Sequence, residues 1–262
     1  MRSLAKYFAI ARISARSSST YLADLAGRTG FFILILFILS RVWDKLLGAG
    51  TVEGLKQRDL VWYLVFTESL LLAVPPFEQN IEEEVRSGSV AYLMIRPVHY
   101  LGHHLAAFLG EVSVRLSLNL LVGAPFALLL GGPPPAPPAG IPWALVATLL
   151  GLTLHFHLLA CLALIAFWLE ETRPFFWIYQ KLLFTAGGLM IPMEFFPGWL
   201  RTVLDHLPFS SVLYAPARLG VRYDPALAFG LIARQALWLG VFVALSHAIY
   251  RRAATQLQVN GG

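Results

Sequence analysis

The residues of this chain that could do chemistry fall into two groups, charges and histidines inside long apolar runs and a dense polar stretch between two of those runs. Glu68, Arg115, His155 and His157 belong to the first group, and the second is Glu78-Gln79-Asn80-Ile81-Glu82-Glu83-Glu84-Val85-Arg86-Ser87-Gly88-Ser89. An ionisable group in hydrocarbon costs roughly 2.5 to 3.5 kcal/mol on insertion scales, so each member of the first group must face a partner or a cavity. Glu68 and Arg115 are expected to form an intramembrane charge pair. The alternative pairs Arg115 with Glu111 one helical turn away and leaves Glu68 to face a cavity. His155 and His157 are two positions apart, so on a helix they point about 200° from one another and cannot share a metal ion. Each is expected to be a packing histidine with its own hydrogen-bond partner; a proton relay is the lesser role, and no metal site is expected. His103 and His104 read as interfacial, and Asn119, Arg234 and Gln235 as links between helices.

The polar stretch is too hydrophilic for lipid, yet it keeps Val85, Val90, Leu93 and Met94 at helical spacing. That combination describes an amphipathic segment offered to another protein. No phosphate-binding loop of the form G-x-x-x-x-G-K-[ST] occurs: the nearest glycine-rich piece, residues 48–56, lacks the Gly-Lys pair. A chain without that loop has no cradle for ATP phosphates, so work done here must draw on a separate polypeptide or an ion gradient. The one cysteine, Cys161, permits neither an intrachain disulfide nor a cysteine metal cluster.

The elements that must position these residues follow from composition. Hydrophobic residues make up 57% of the 262 and charged residues 13%, about half the charged fraction of soluble domains, which places the chain among integral membrane proteins. Six apolar runs approach the ~20 residues that cross a bilayer: 29–47, 60–77, 105–130, 143–169, 175–195 and 226–250. The first is too long and too charged at its far end to be a signal peptide. Ahead of it, Leu4, Tyr7, Phe8, Ala11 and Ala15 share one helical arc and Arg2, Lys6, Arg12 and Arg16 the opposite one, the pattern of a helix lying in the interface of an anionic leaflet. With both termini inside, ten basic residues fall on inner segments and seven on outer ones, a bias that with Arg251-Arg252 favours cytoplasmic termini. The proline-rich stretch 131–140 is a stiff outer connection, and the aromatic, proline-broken stretch 191–209 suits short helices dipping into the outer interface.

The order Glu84-Val85-Arg86-Ser87-Gly88-Ser89-Val90-Ala91-Tyr92-Leu93-Met94-Ile95-Arg96-Pro97-Val98 after the second span resembles the cytoplasmic coupling segment of type 2 ABC transporter permeases. Gly188-Leu189-Met190-Ile191-Pro192, Phe196-Pro197 and Leu207-Pro208-Phe209 before the last span, and Gly261-Gly262 at the end, agree with that family. The resemblance implies an all-α integral membrane protein. It would have an amphipathic interfacial helix over 1–20 and six transmembrane helices over 21–262, with a cytoplasmic coupling helix within 78–98 and outer re-entrant helices over 196–209. It implies the permease subunit of an ATP-driven exporter in the inner (plasma) membrane, paired with a second copy or paralogue. Separate ATP-binding cassette subunits would carry ATP and magnesium; this chain would bind no cofactor, and lipid rather than nucleic acid would surround it. Coupling would fall on residues 82–95 and Arg96, with Glu82, Glu83, Glu84, Arg86, Ser87, Gly88, Ser89, Tyr92 and Leu93 as contacts. Spans two and five would line the pathway, which makes Phe66, Glu68, Phe184 and Met190 the expected cargo contacts. The aromatic residues Phe175, Phe176, Trp177 and Tyr179 are better read as interface anchors. Two competing readings are an ion-coupled secondary transporter using Glu68 and the histidines, for which no inverted repeat is visible, and a membrane-embedded enzyme using His155 and His157, which lacks paired ligand spacing.

Overall fold

Interruptions of the apolar pattern decide where the helices stop. The computed structural model describes residues 2–18, 22–47, 50–51, 54–95, 97–169 and 171–260. Among these described residues eleven α-helices follow in order: α1 Arg2–Ser18, α2 Leu22–Leu47, α3 Gln57–Ala73, α4 Phe77–Arg86, α5 Val90–Met94, α6 Tyr100–Gly131, α7 Ile141–Ala163, α8 Arg173–Ala186, α9 Gly198–His206, α10 Tyr214–Val221 and α11 Pro225–Asn260. Single 3-10 turns over Pro138–Gly140, Leu164–Phe167 and Met193–Phe195 join them. Among the described residues every regular element is helical. That is the outcome lipid demands, since a helix satisfies its own backbone polar groups.

Local chemistry places several ends. Val74-Pro75-Pro76 separates α3 from α4, because a proline lacks the N–H an interior helical turn needs. Asp224 opens α11 by accepting the Ala226 N–H at 2.9 Å, with Pro225 in the first turn. At the start of α3, Asp59 Oδ2 accepts the Lys56 N–H at 2.9 Å.

Among the described residues four helical stretches are long and apolar enough to cross a membrane: Gln57–Arg86, Tyr100–Gly131, Pro138–Phe167 and Pro225–Thr255. They contain the second, third and sixth apolar runs and all but the last two residues of the fourth. The first run lies on α2, which is punctuated by Arg28, Arg41, Asp44 and Lys45. The fifth run departs from expectation. Its helix, α8, stops at Ala186 after 14 residues, about 21 Å at 1.5 Å per residue, and the chain continues through Gly187-Gly188 as turns rather than helix as far as 192.

Helix α3 is the hub, buried continuously from Leu60 to Val65, with α2, α6 and α10 packed around it. One apolar core surrounds Phe77, Phe108 and Phe156, whose rings stack at 4.8 Å (Phe77 on Phe156) and meet edge-on at 5.5 Å (Phe77 on Phe108). A second surrounds Phe32, Trp62, Tyr63 and Tyr214 toward the end that bears the proline-rich connection.

Helix α1 packs along the first half of α6. Lys6 Nζ donates to Pro97 O at 3.3 Å, Tyr7 lies over Gly102, and Ala11 abuts Gly110, so both helices advance in the same direction. The apolar arc read from the sequence divides as a result: Tyr7, Ala11 and Ala15 turn toward α6, while Leu4 and Phe8 stay exposed, as does Ile13 outside that arc, beside Lys6, Arg12 and Arg16.

Candidate functional site

The polar stretch forms α4, a turn and α5. Phe77, Ile81 and Glu82 form the buried face of α4, which packs on α7 and the 3-10 turn after it. Gly88, at φ +72°, occupies the left-handed region that reverses the chain without a side-chain clash. The Ser87 hydroxyl, 2.7 Å from Glu83 O and 3.0 Å from Ser89 Oγ, ties the same turn. Helix α5 buries Val90 and leaves Tyr92 and Ile95 75% and 81% exposed. The side chain of Met94 and all of Arg96 lie outside the described residues.

The acidic residues divide between two surfaces. Glu83 is exposed with Arg86, Ser87 and Gly88, whereas Glu82 is buried and Glu84 half-buried. Glu82 Oε2 accepts the Thr172 hydroxyl at 2.9 Å and Oε1 lies 3.6 Å from Arg86 Nη1. Thr172 precedes α8 at the position where a hydroxyl ordinarily caps its own helix, but makes no such cap. Glu84 Oε2 accepts the Tyr100 hydroxyl at 2.6 Å and sits 3.1 Å from His104 Nε2. Expected as contacts for a partner, Glu82 and Glu84 are engaged inside this chain, because α4 lies against the bundle and turns alternate acids inward.

The charge pair expected between Glu68 and Arg115 does not form. Arg115 Nη2 donates to Glu111 Oε1 at 2.6 Å, the i,i+4 alternative, which needs no second helix to be rotated into register. Glu68 is 2% exposed, and its Oε1 has no hydrogen-bond partner. His155 Nδ1 lies 2.7 Å from the Tyr179 hydroxyl and His157 Nδ1 2.9 Å from Ser246 Oγ, so the two histidines join different helices to α7. Asn119 Nδ2 donates to Ser69 O at 3.2 Å, Gln235 Nε2 to Ala147 O at 2.9 Å and Ser211 O at 2.8 Å, and Arg234 Nη1 lies 3.4 Å from Asp205 Oδ1. All are links between elements. Among the described residues no group of three or more His, Cys, Asp or Glu side chains is placed to hold a metal.

Within one chain the four expected cargo contacts do not converge. Phe66 packs on Gly220 and lines an apolar crevice of about 240 Å³ between α3, α6 and α7. Phe184 lines a separate cavity of about 320 Å³ with Arg28, Glu78, His155, Tyr179 and Gln180. Glu68 lines neither, and Met190 is exposed beyond the end of α8.

Residues that sequence reading missed hold that end. Where α8 stops, carbonyls of the turn that follows accept hydroxyls from α3: Tyr63 donates to Gly188 O, and Thr67 donates to Leu189 O at 2.9 Å. Non-helical backbone in a membrane protein is tolerated where it is buried in protein and satisfied there, as Gly188 and Leu189 are. Nearby, Glu194 Oε1 accepts both the Tyr214 hydroxyl at 2.8 Å and Arg218 Nε at 2.7 Å, joining the 3-10 turn before α9 to α10. Burial, and then the Glu194 carboxylate, push the Tyr214 phenol well above its ordinary pKa, so it stays a donor. The visible signal was Gly187-Gly188 inside an apolar run; the partners on α3 had none.

An all-helical bundle, several of whose described stretches are long and apolar enough to cross a membrane, defines a multi-pass membrane protein. Comparison with protein families then supplies the lineage: a family model described as ABC-2 family transporter protein matches residues 28–261, and the chain belongs to that family. It is a multi-pass membrane protein and the permease subunit of an ABC transporter. Permeases of this family are transmembrane rather than catalytic components, and they typically work with an ATP-binding subunit. A comparison with curated proteins finds no match.

Proposed function

We propose that this chain is the permease of an exporter, working as a dimer with a second copy or a related permease and driven by separate ATP-binding subunits through residues 82–95. The observation that carries this reading is the knuckle at α5. Tyr92 and Ile95 stand out from the bundle, while the helix pair that bears them is anchored from behind by Phe77, Ile81 and Val90. An aromatic and an aliphatic side chain held out by a fixed scaffold suit insertion into a groove, where buried aromatic anchors carry most of an interface's energy. Glu83 and Arg86 flank them as the charged rim. ATP and magnesium bind the partner in this reading.

The cassette and both termini face the cytoplasm of the inner membrane. Leu4, Phe8 and Ile13 of α1 lie against the leaflet while Lys6, Arg12 and Arg16 meet anionic headgroups. Helices α3 and α8 face the pathway and α9 forms part of its outer lid. Phe66, Glu68, Phe184 and Met190 become neighbours of cargo only when a second permease closes the space.

The test is Tyr92→Arg with a co-expressed ATP-binding subunit. Association is expected to fall at least tenfold, about 1.4 kcal/mol. The melting temperature should hold, since this side chain is 75% exposed. Undiminished association in Tyr92→Arg combined with Ile95→Arg refutes the docking role.

A further inference from the structure

We infer that Glu84 is a positioning residue, tying the cassette to α6 and α11 so that a displacement imposed at Tyr92 and Ile95 is passed to those two helices. The inference rests on the proposed coupling role and reassigns this acid within it, from partner contact to internal tie.

Three observations carry it. Glu84 Oε2 is held by two donors on one turn of α6, the Tyr100 hydroxyl at 2.6 Å and His104 Nε2 at 3.1 Å. Two bonds converging on one oxygen fix both the distance and the rotation of α4 against α6, which a single bond would not. The Tyr100 ring is buried and stacks on Tyr250 of α11, centroids 5.4 Å apart and planes 5° from parallel. His99 continues the contact, 5.5 Å from Tyr250 and 5.1 Å from His247, also on α11. A chain of close contacts therefore runs from the cassette carboxylate through the first residue of α6 into the last long helix. Glu83, the next acid along, points outward, so adjacent positions serve opposite surfaces. Glu82 supplies a second tie, through Thr172, to the start of α8, so the two inward acids reach different spans.

The stiffness of the tie comes from its polarity and burial together. A carboxylate accepting a phenol at 2.6 Å makes a short charge-assisted bond, about twice as strong as a neutral one. Interfaces of packed side chains switch between discrete arrangements rather than deforming smoothly, so a tie of this kind moves α4 and α6 as one body.

The experiment uses the full chain with its co-expressed ATP-binding subunit. Spin labels are placed through Asn80→Cys on α4 and Ser117→Cys on α6, both exposed positions outside the proposed docking surface, in a Cys161→Ala background. With the tie intact, the label-to-label distance is expected to be single and the same with and without ATP plus vanadate. In Tyr100→Phe, which keeps the stacked ring and loses only the hydroxyl, and in Glu84→Gln, the trapped distance should shift or broaden by about 2 Å or more, the size of ordinary helix displacements. Association with the ATP-binding subunit should stay within about twofold, a change under ~0.5 kcal/mol. A tenfold loss of association in either variant overturns the inference and returns Glu84 to the partner surface. An unchanged single distance in both variants overturns it as well. Failure of the chain with Glu84 and Tyr100 intact to recruit any ATP-binding subunit defeats the coupling reading itself, and that result is recognised because it needs neither substitution.

Discussion

Gly110→Ala is expected to dislodge α1. A Cβ on Gly110 would stand 2.1 Å from Ala11 O, 2.7 Å from Ala11 C and 2.8 Å from Ala11 Cα. Real Cβ contacts essentially never fall below 3.0 Å, so the helices must part by at least 3.0 − 2.1 = 0.9 Å along that contact. Both sides of it are backbone, so no side-chain rotation relieves it. Overpacking of this kind costs typically about 1 to 3 kcal/mol, and close backbone approach across small residues is how helices associate in lipid. At roughly 2 to 4 °C per kcal/mol for a chain of this size, the melting midpoint in detergent should drop by several degrees. Trypsin should cut faster at the exposed Arg12 and Arg16. Two companions set the scale. Gly102→Ala meets the Tyr7 ring at 2.9 Å, a side chain that can swing aside, and should cost less. Gly30→Ala on α2 meets nothing within 4 Å and should melt no lower than the parent, since alanine favours helix over glycine by about 1 kcal/mol. If Gly110→Ala melts and resists trypsin like the parent, or Gly30→Ala falls as far, the packing of α1 on α6 described above is wrong.

Glu111→Gln removes the partner of Arg115, whose Nε and Nη1 are already without one. It should destabilise by about 2 kcal/mol, less than the ~3 to 5 of a fully buried pair because Glu111 keeps some exposure. Glu68→Gln, by contrast, should melt at or above the parent, and adding Arg115→Met should rescue nothing; a rescue in that double variant would restore the Glu68 to Arg115 pair. At the end of α8, Tyr63→Phe and Thr67→Val each strand a buried carbonyl, of Gly188 and Leu189 respectively, at about 1 to 3 kcal/mol. Faster amide exchange over residues 184–191 is the measurement, and exchange at parental rates in both variants would show that α3 does not hold the break.

Much of the helical order was legible because the solvent of this protein is lipid. Backbone polar groups in hydrocarbon leave the helix as the available element for an open chain, so hydropathy along the sequence records most of the architecture. The density of charge in 78–89 marked the cassette, whereas the apolar run 60–77 passes over Pro75-Pro76, where α3 gives way to α4. The early stop of α8 was written in Gly187-Gly188, but an apolar run that continues past it to 195 masks the signal when only hydropathy is counted.

The partners were decided elsewhere. Arg115 had two carboxylates to choose from, Glu111 on its own helix and Glu68 on α3; the near one was fixed by helical geometry, the far one depended on how α3 turns about its axis. Glu83 and Glu84 are neighbours with the same chemistry, and only the seating of α4 on α7 sends one to solvent and the other to Tyr100. The hydroxyls of Tyr63 and Thr67 reach carbonyls 125 and 122 positions away. The sequence by itself determined that the elements are helices and where charge is concentrated, because those follow from local composition and a single solvent. Helix rotation and separation, set by the packing of all the neighbours at once, decided which charge meets which donor.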